Sequence, residues 1–468
     1  MHPLIPPLFL HAMVRSFLDE VQNEQPSHTD IGTKRKQPQS GTSEKDYFRP
    51  ARPVLKPSIQ NSLVLTALAL GKICLWKDKI PEILPRKEIG GFVVVQSMDE
   101  PFVHDLFGIR NMEVIPGLDY FAYATHILQK QNGRYQLEYI LIKVLASLYY
   151  GQLGRPVQSY DCIHDASNKL LALLMPYFGR FSEMKQQIQQ DPAFRARHNE
   201  TSSPEVMYLL MFWSCVQLES DLIAELALPP SELMNYESVM PQPDIARAES
   251  QCGFARTVLL SFHTHLFFHK LKPAFRQFHA PPTSQTPDLK ELEELPDFLP
   301  QELGFAEHNS LAADILQAHL QGTYLQIIAI AYRPCVMRIL ESNGHCNDPE
   351  LIQAAKKGIQ AMIDSTKAYH GLGLQRLIVP HVWVIAHRQW CNILILIKAS
   401  RTPILNEVIR EKTMRGLLSS TISFLKTVSH RSSALFKDLQ ILQGLEEDLF
   451  SGPSDDYLDS DCMDIMGR

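Results

Sequence analysis

The segment running from Met211 to Pro230 reads Met-Phe-Trp-Ser-Cys-Val-Gln-Leu-Glu-Ser-Asp-Leu-Ile-Ala-Glu-Leu-Ala-Leu-Pro-Pro, with Ser231 after it. Phe212, Cys215, Val216, Glu219, Leu222, Ile223 and Leu226 recur at helical spacing, and all but Glu219 are apolar. A proline has no N–H and its ring clashes with the preceding turn, so Pro229-Pro230 ends the helix. The segment therefore predicts an amphipathic helix that buries its apolar stripe against other elements and carries one acid within that stripe. Further segments of helical period follow one another, near 118–131, 135–151, 157–176, 204–227, 246–271, 308–340, 348–370, 375–400, 403–428 and 432–448. Such a succession predicts an all-α fold, a large irregular multi-helix bundle with a flexible N-terminal loop and a disordered acidic C-terminal tail. The expected divisions are an N-terminal helix and polar loop over 1–56, a helical domain over 57–430, and a last helix with its tail over 431–468.

Between these segments the chain is punctuated. A short apolar helix is expected within residues 3–21, followed by a flexible polar stretch from Asn23 to Lys45 that contains Lys34, Arg35 and Lys36, a candidate nuclear import signal. Ser58 to Trp76 reads as a helix that Ser58 or Asn61 could cap. Pro81 to Gly117 is rich in breakers, and Phe92-Val-Val-Val95 within it is β-prone but makes no sheet alone. Phe278 to Pro300, with five of the 31 prolines, reads as a long surface loop. The apolar runs Ile327–Tyr332 and Ile393–Ile397 fall far short of the roughly 20 residues a membrane span needs. Met1 to Met13 lacks the basic start of a signal peptide, so a soluble protein with no membrane partner is expected. Apolar residues make up 45% of the chain, enough for a sizeable core, while a net charge of −6 excludes a broad basic nucleic-acid surface. The eight cysteines are scattered through apolar helical context and read as reduced, intracellular thiols.

The residue types that carry chemistry do not assemble into a site. His265 and His269 form an i, i+4 pair with His263 nearby, but no Cys or Glu close in sequence completes a metal set, and histidines at the surface or core edge are expected. Asp455-Asp-Tyr-Leu-Asp459 spells the diphosphate-binding D-D-x-x-D of helical prenyl-transferring enzymes. It follows Gly452-Pro453 within thirteen residues of the end of the sequence, where it cannot line a helical cavity. Gly371-Leu-Gly373 has no strand before it and reads as a turn ending a helix. No Walker loop or G-x-S-x-G is present, and no Cys/His combination makes a convincing nucleophile pair. No catalytic, cofactor-binding or metal-binding residue is assigned, no cofactor is expected, and the chain is expected not to be an enzyme.

Several phrases, taken in order, are more specific than their composition. The run Phe212-Trp213-Ser214-Cys215, the mid-helix Glu219 and the following Leu228-Pro229-Pro230-Ser231 resemble the central regulatory region of fungal binuclear zinc-cluster transcription factors. Asn61–Cys74, Glu113–Thr125, and Leu148–Ser159 with its Tyr-x-Gly-Gln-Leu phrase are similar to segments of that family. So are Tyr332-Arg333-Pro334-Cys335, Ala354–Ser365 and Pro380–Ser400. The match spans roughly residues 50–430. The resemblance implies a helical regulatory domain that acts in transcription in a fungal nucleus, often supports dimers, a homodimer among the open alternatives, and in related proteins senses small molecules or controls metabolite pathways. Its structural motif maps onto Phe212, Trp213, Cys215, Glu219, Pro229, Tyr332, Arg333 and Pro334. The family's zinc cluster needs six closely spaced cysteines, and this sequence has no C-x2-C. Direct contact with DNA is expected only with a cluster encoded upstream of Met1. Otherwise the expectation is a co-regulator, or the heterodimer partner of another transcription regulator.

The tail, Glu446 to Met466, carries eight acids and no base, and interleaves them with apolar residues. Repulsion among the acids is expected to keep it expanded, leaving Leu449, Phe450, Tyr457, Leu458 and Ile465 free to enter coactivator grooves.

Overall fold

Local chemistry starts and stops the helices. Ser58 accepts from the Asn61 N–H at 3.1 Å, Asp244 from the Arg247 N–H at 2.9 Å, and Asp348 from the Glu350 and Leu351 N–H groups. Each supplies an acceptor to a helix start that would otherwise leave its first N–H groups unpaired. Pro156 and Pro349 occupy first turns, where a missing N–H costs nothing. At the other end, Gly253 turns left-handed at φ 69° to close a helix.

In this computed structural model the described residues are 2–23, 56–82, 111–112, 114–130, 136–191, 204–276, 303, 315–342, 344–372, 377–431 and 433–450. They form α1 (Pro7–Asn23), α2 (Ile59–Leu75), α3 (Leu118–Lys130), α4 (Leu137–Gln152), α5 (Pro156–Leu174), α6 (Phe178–Gln190) and α7 (Glu205–Leu226). There follow α8 (Ile245–Cys252), α9 (Arg256–Arg276), α10 (Ile315–Glu341), α11 (Pro349–Lys367), α12 (Val382–Arg401), α13 (Glu411–Val428) and α14 (Leu435–Phe450). Short 3-10 turns occupy Met175–Tyr177, Glu232–Tyr236 and His370–Leu372. No strand occurs among the described residues, and the fold is all-α. The β-prone Phe92–Val95, the loop 278–300 and Gly373 lie outside them.

Four helical segments depart from the sequence expectation. The one expected over 246–271 is two helices, because Gly253 stops α8 and α9 restarts at Arg256. The one expected from 375 starts at Val382, because the chain bends at Val379–Pro380, where it docks against Gly151 and Gln152, and His381 is extended. The one expected from 403 starts at Glu411, since Pro403 cannot continue a helix and 402–409 runs in turns that bury Leu405 and Ile409. Helix α6 was not expected at all. Only Phe181 of its side chains is buried, too few apolar positions for a visible period.

Sequential helices pair: α4 with α5, α10 with α11, α12 with α13 and α13 with α14. Helix α2 lies against both α3 and α4. Helix α7 is the centre, contacting α5, α8, α9 and α12. It is not amphipathic as its stripe suggested. Leu209 to Ser220 are buried without a break, so every side of those turns meets protein. By length and composition α7 could cross a membrane. It is a core helix, and its buried polar side chains Gln217 and Glu219 find partners inside the protein. The outer helices share the packing. Phe17 of α1 meets Val64, Leu65 and Ile127, and Leu435, Leu439 and Leu442 of α14 enter the main core.

Several of the singled-out phrases mark places where backbones touch. Ser62 donates to the Ala124 carbonyl at 2.9 Å, locking α2 to α3. A Cβ at Gly117, whose φ is +78°, would stand 2.4 Å from the Ala69 carbonyl oxygen. The Tyr149 hydroxyl donates to the Pro116 carbonyl at 3.0 Å. Gly151 and Gln152 clasp the bend that leads into α12. Gln152 Nε2 donates to the Val379 carbonyl, and a Cβ at Gly151 would stand 2.1 Å from the Pro380 carbonyl oxygen. His430 Nε2 bonds the Leu153 carbonyl at 2.7 Å, bringing in the end of α13. Between α10 and α11, a Cβ at Gly358 would meet Tyr332 Cβ at 2.8 Å. The expected result of Gly151→Ala is therefore a loss on the order of 3 kcal/mol, because backbone rather than a flexible side chain must move. Denaturant unfolding checks it, with Gly416→Ala, where the space is open, leaving stability unchanged or raised.

Candidate functional site

The mid-helix acid of α7 is the most heavily bonded side chain of the motif. Glu219 is 0% exposed. One carboxylate oxygen accepts from the Ser231 N–H at 2.8 Å and lies 3.0 Å from His164 Nδ1. The other accepts from the Ser231 and Ser167 hydroxyls, both at 2.7 Å. A carboxylate without such donors could not remain in an apolar interior. Helix α5 supplies His164 and Ser167 because it packs along α7, and the turn after α7 returns Ser231 beneath the same oxygens. That turn begins before the proline pair. Helix α7 stops at Leu226 with Ala227 at φ 51°, a left-handed position that an alanine rarely takes. Tyr160 on α5 then donates to the Pro229 carbonyl at 2.8 Å.

The other motif residues are anchors of the same junction. Trp213 is fully buried, its indole N–H donates to the Pro241 carbonyl at 2.8 Å, and its ring meets Phe212 edge-on at 5.1 Å. Burial pushes the Cys215 thiol far up, so it is an inert core thiol. On α10, Tyr332 is buried against Gly358, Arg333 is exposed, and Pro334 sits inside the helix. Glu219 itself is fully buried, His164 lies at the edge of the junction, and the junction holds pieces together.

The remaining candidates separate. His265 bonds the Ser261 carbonyl at 2.9 Å and stacks on His319, whereas His269 pairs with Glu237 at 3.1 Å. A carboxylate is thus present, Glu237 just after the 3-10 turn Glu232–Tyr236, but the two imidazoles turn to different partners. No group of three or more potential metal ligands occurs among the described residues. The seven described cysteines are free thiols. Leu449 belongs to α14 and packs half-buried against the core, and α14 runs on to Phe450. The expectation of an expanded segment from Glu446 onward therefore fails for its first five residues. The apolar face of α14 reaches further than the acids suggested. Tyr457, Leu458, Ile465 and the Asp455–Asp459 motif lie outside the described residues, as do Lys34, Arg35 and Lys36.

A pocket that the sequence did not announce lies between α10, α11 and α12. Thr323 and Gln326 line it from α10, Ser365 from α11, Tyr369 from the residues just after it, and Arg388 and Gln389 from α12. Its cavity volume is about 20 Å³, room for about one water molecule. Arg388 reaches Glu225 at 2.7 Å and Asp221 at 3.6 Å, both on α7. Burial opposes the guanidinium charge, but the two carboxylates outweigh it and raise its pKa. Burial pushes the Tyr369 phenol up, and its oxygen lies 3.4 Å from His319 Nδ1. Burial also lowers His370 and His381 to about 4, so both imidazoles are neutral at neutral pH. The only sequence signal was faint: Gln326, Arg388 and Gln389 interrupt otherwise apolar helices.

Comparison of the chain with protein-family models, with curated proteins and with solved structures returns no match.

Next to Arg388, His387 faces the other way. Its ring is sandwiched between Trp383 at 4.7 Å and Trp390 at 5.1 Å, and Nδ1 meets Asp438 of α14 at 3.0 Å. Burial lowers its pKa, but hydrogen bonding to Asp438 and Cys391 wins and carries it up to about 10. A raised imidazole pKa stabilises the fold fully below the ordinary value near 6.5, and that stability is lost as pH rises through about 10. Asp438→Asn should therefore cost on the order of 2 kcal/mol near neutral pH, allowing for partial screening, with the deficit shrinking toward pH 10. Urea unfolding of both proteins across that range checks it. A deficit that grows with pH would contradict the assignment.

Glu219→Ala should cost roughly 3–5 kcal/mol, since it strands two serine hydroxyls and an N–H in the interior. Trp213→Ala should cost about the same through its cavity and the lost Pro241 bond. Thermal melts measure both, and an unchanged melt for either would remove it from the core.

Proposed function

We propose that this chain is the helical regulatory region of a transcription regulator of the fungal zinc-cluster type, acting in the nucleus on a metabolite pathway. The observation that carries the proposal is the ordered set of phrases from Asn61 to Ser400, centred on Phe212-Trp213-Ser214-Cys215, Glu219 and Ser231. What supports it physically is that these phrases coincide with contacts between helices. Gly151 and Gln152 meet Val379–His381, Glu219 meets Ser231, and Tyr332 meets Gly358. The resemblance and the tight packing thus fall on the same residues. The buried, fully bonded Glu219 and the inert Cys215 serve packing, which fits a regulatory role.

Partners follow from the same proposal. Coactivators are engaged by the acidic segment beyond α14, with Tyr457, Leu458 and Ile465 as the apolar contacts. DNA is reached through an upstream zinc cluster or through another regulator, as a homodimer or heterodimer. The test is a tethering assay in a yeast reporter strain. The full chain fused to an unrelated DNA-binding domain is expected to change reporter output several-fold. Replacing Tyr457, Leu458 and Ile465 with Ala should abolish activation while leaving the melt of the helical body unchanged. A fusion that enters the nucleus yet leaves the reporter at its basal level would overturn the transcriptional assignment.

A further inference from the structure

Where α12 meets α14, a thiol, an imidazole and a carboxylate touch in series. Cys391 follows His387 by four residues, a spacing that puts both side chains on one helix face. The His387 ring hydrogen-bonds the Cys391 thiol and, through Nδ1 at 3.0 Å, the Asp438 carboxylate. Trp383 and Trp390 hold the ring between their faces. Burial alone would lower the His387 pKa, but the hydrogen bonds prevail and raise it to about 10, so the ring is an imidazolium at neutral pH. A cationic ring in contact with a thiol favours the thiolate, the nucleophilic form, and a carboxylate behind the ring fixes its orientation. The sequence concealed this series because Asp438 lies 51 residues from His387. Cys391 is only partly buried, unlike the fully buried Cys215, so a small reagent can reach it. A second observation marks a place for an oxygen. Trp390, next to Cys391 in the chain, is 5% exposed, and its indole N–H is buried without a hydrogen bond. Native interiors rarely keep a buried donor without an acceptor.

We propose that Cys391 is a redox-sensing thiol, oxidised by small hydroperoxides to a sulfenic acid whose oxygen accepts the Trp390 N–H. The thiolate sulfur attacks one peroxide oxygen, and the S–O bond forms as the O–O bond breaks. Sulfur gives up two electrons and the peroxide takes them. The leaving hydroxide receives a proton from the His387 imidazolium and departs as water, or as an alcohol from an organic hydroperoxide. The proton that the thiol lost to the ring is thereby accounted for. Asp438 is a positioning residue, which holds the ring charged and oriented without touching the sulfur. Size selects the same chemistry. The sulfur sits half-buried beside two indoles, where one added oxygen atom is accommodated more readily than a bulky adduct. Oxidation also alters a contact shared with α14, since His387 serves Cys391 and Asp438 at once. This proposal is independent of the transcriptional one, because the oxidation is read on purified protein with no promoter involved.

The test treats the reduced full chain with hydrogen peroxide at neutral pH, traps sulfenic acid with dimedone, and measures each cysteine by mass spectrometry. Cys74 and Cys346, also partly exposed, are the internal references. Cys391 should be trapped at least about tenfold faster than either. His387→Gln should bring it down to the reference rate, and Asp438→Asn should slow it several-fold. Loosening of α12 against α14 would expose Cys391 and raise its labelling, so a fall in these variants reports lost activation and not lost structure. Trp390→Phe keeps an aromatic ring and removes the N–H. It should lower the sulfenic yield several-fold while free thiol disappears at the same rate, because the unheld sulfenic acid goes on to sulfinic acid. The three cysteines of the unmodified chain decide the matter even if a variant does not fold. Three results would each overturn the proposal. The first is Cys391 trapped no faster than Cys74 and Cys346. The second is a folded His387→Gln chain trapped at Cys391 as fast as the unmodified chain or faster. The third is an unchanged sulfenic yield in folded Trp390→Phe.

Discussion

The fold is organised around a carboxylate that it cannot leave exposed and cannot leave alone. Glu219 sits at the middle of α7, in a stretch buried on every side, and its charge is tolerable only because α5 and the turn at Ser231 deliver donors to it. That requirement fixes three things together. It sets the rotation of α7 about its axis, the register of α5 along α7, and the path of the chain after Leu226. An apolar residue at position 219 would hold none of these, since hydrophobic contact is not directional. The left-handed Ala227 is a local cost of the same requirement, because the chain must turn sharply for Ser231 to come back under the acid.

Backbone contact is the second organising constraint. Gly117 against Ala69, Gly151 against Pro380 and Gly358 against Tyr332 each allow an approach that no Cβ would permit. These three contacts tie α2 to the turn before α3, α4 to the segment before α12, and α10 to α11. Side-chain bonds reinforce them, from Ser62 to Ala124 and from Tyr149 to Pro116. A helical bundle built from sequential pairs could slide, since each pair alone is held by apolar surface. Contacts at fixed backbone atoms remove that freedom.

The class of the fold and most of its helices were legible because burial writes a 3.6-residue period into the sequence. The errors have definite physical sources. A period persists across Gly253, so a broken helix looked continuous, and α6 buries only Phe181, so it left almost no period. The sequence showed that Glu219 lay in an apolar stripe, but not that Ser167 and His164 would meet it, because these are about fifty residues away. The pocket was invisible for the same reason. Gln326, Tyr369 and Gln389 come from separate segments, and each alone looks like an ordinary polar interruption. Leu449 was misplaced because acids around it masked the inner face of α14. A charged run says that one side is solvated and is silent about the other.

Three consecutive residues of α12 show how the parts are connected. His387 reaches across to Asp438 on α14, Arg388 to Glu225 and Asp221 on α7, and Gln389 lines the pocket shared with α10 and α11. Successive helical positions point about 100° apart, so these three side chains necessarily look in different directions from one rigid element. Helix α7 is divided in a similar way, with Glu219 facing α5 and the pair Asp221 and Glu225 facing α12. A rotation or shift of α12 at the pocket would therefore strain its ion pairs to α7 and its charged contact with α14 in the same movement. Helix α14 is the last described element before the acidic segment. A shift at the pocket wall and the docking of α14 thus act on one helix, and the link runs through the His387 side chain, two residues from Gln389.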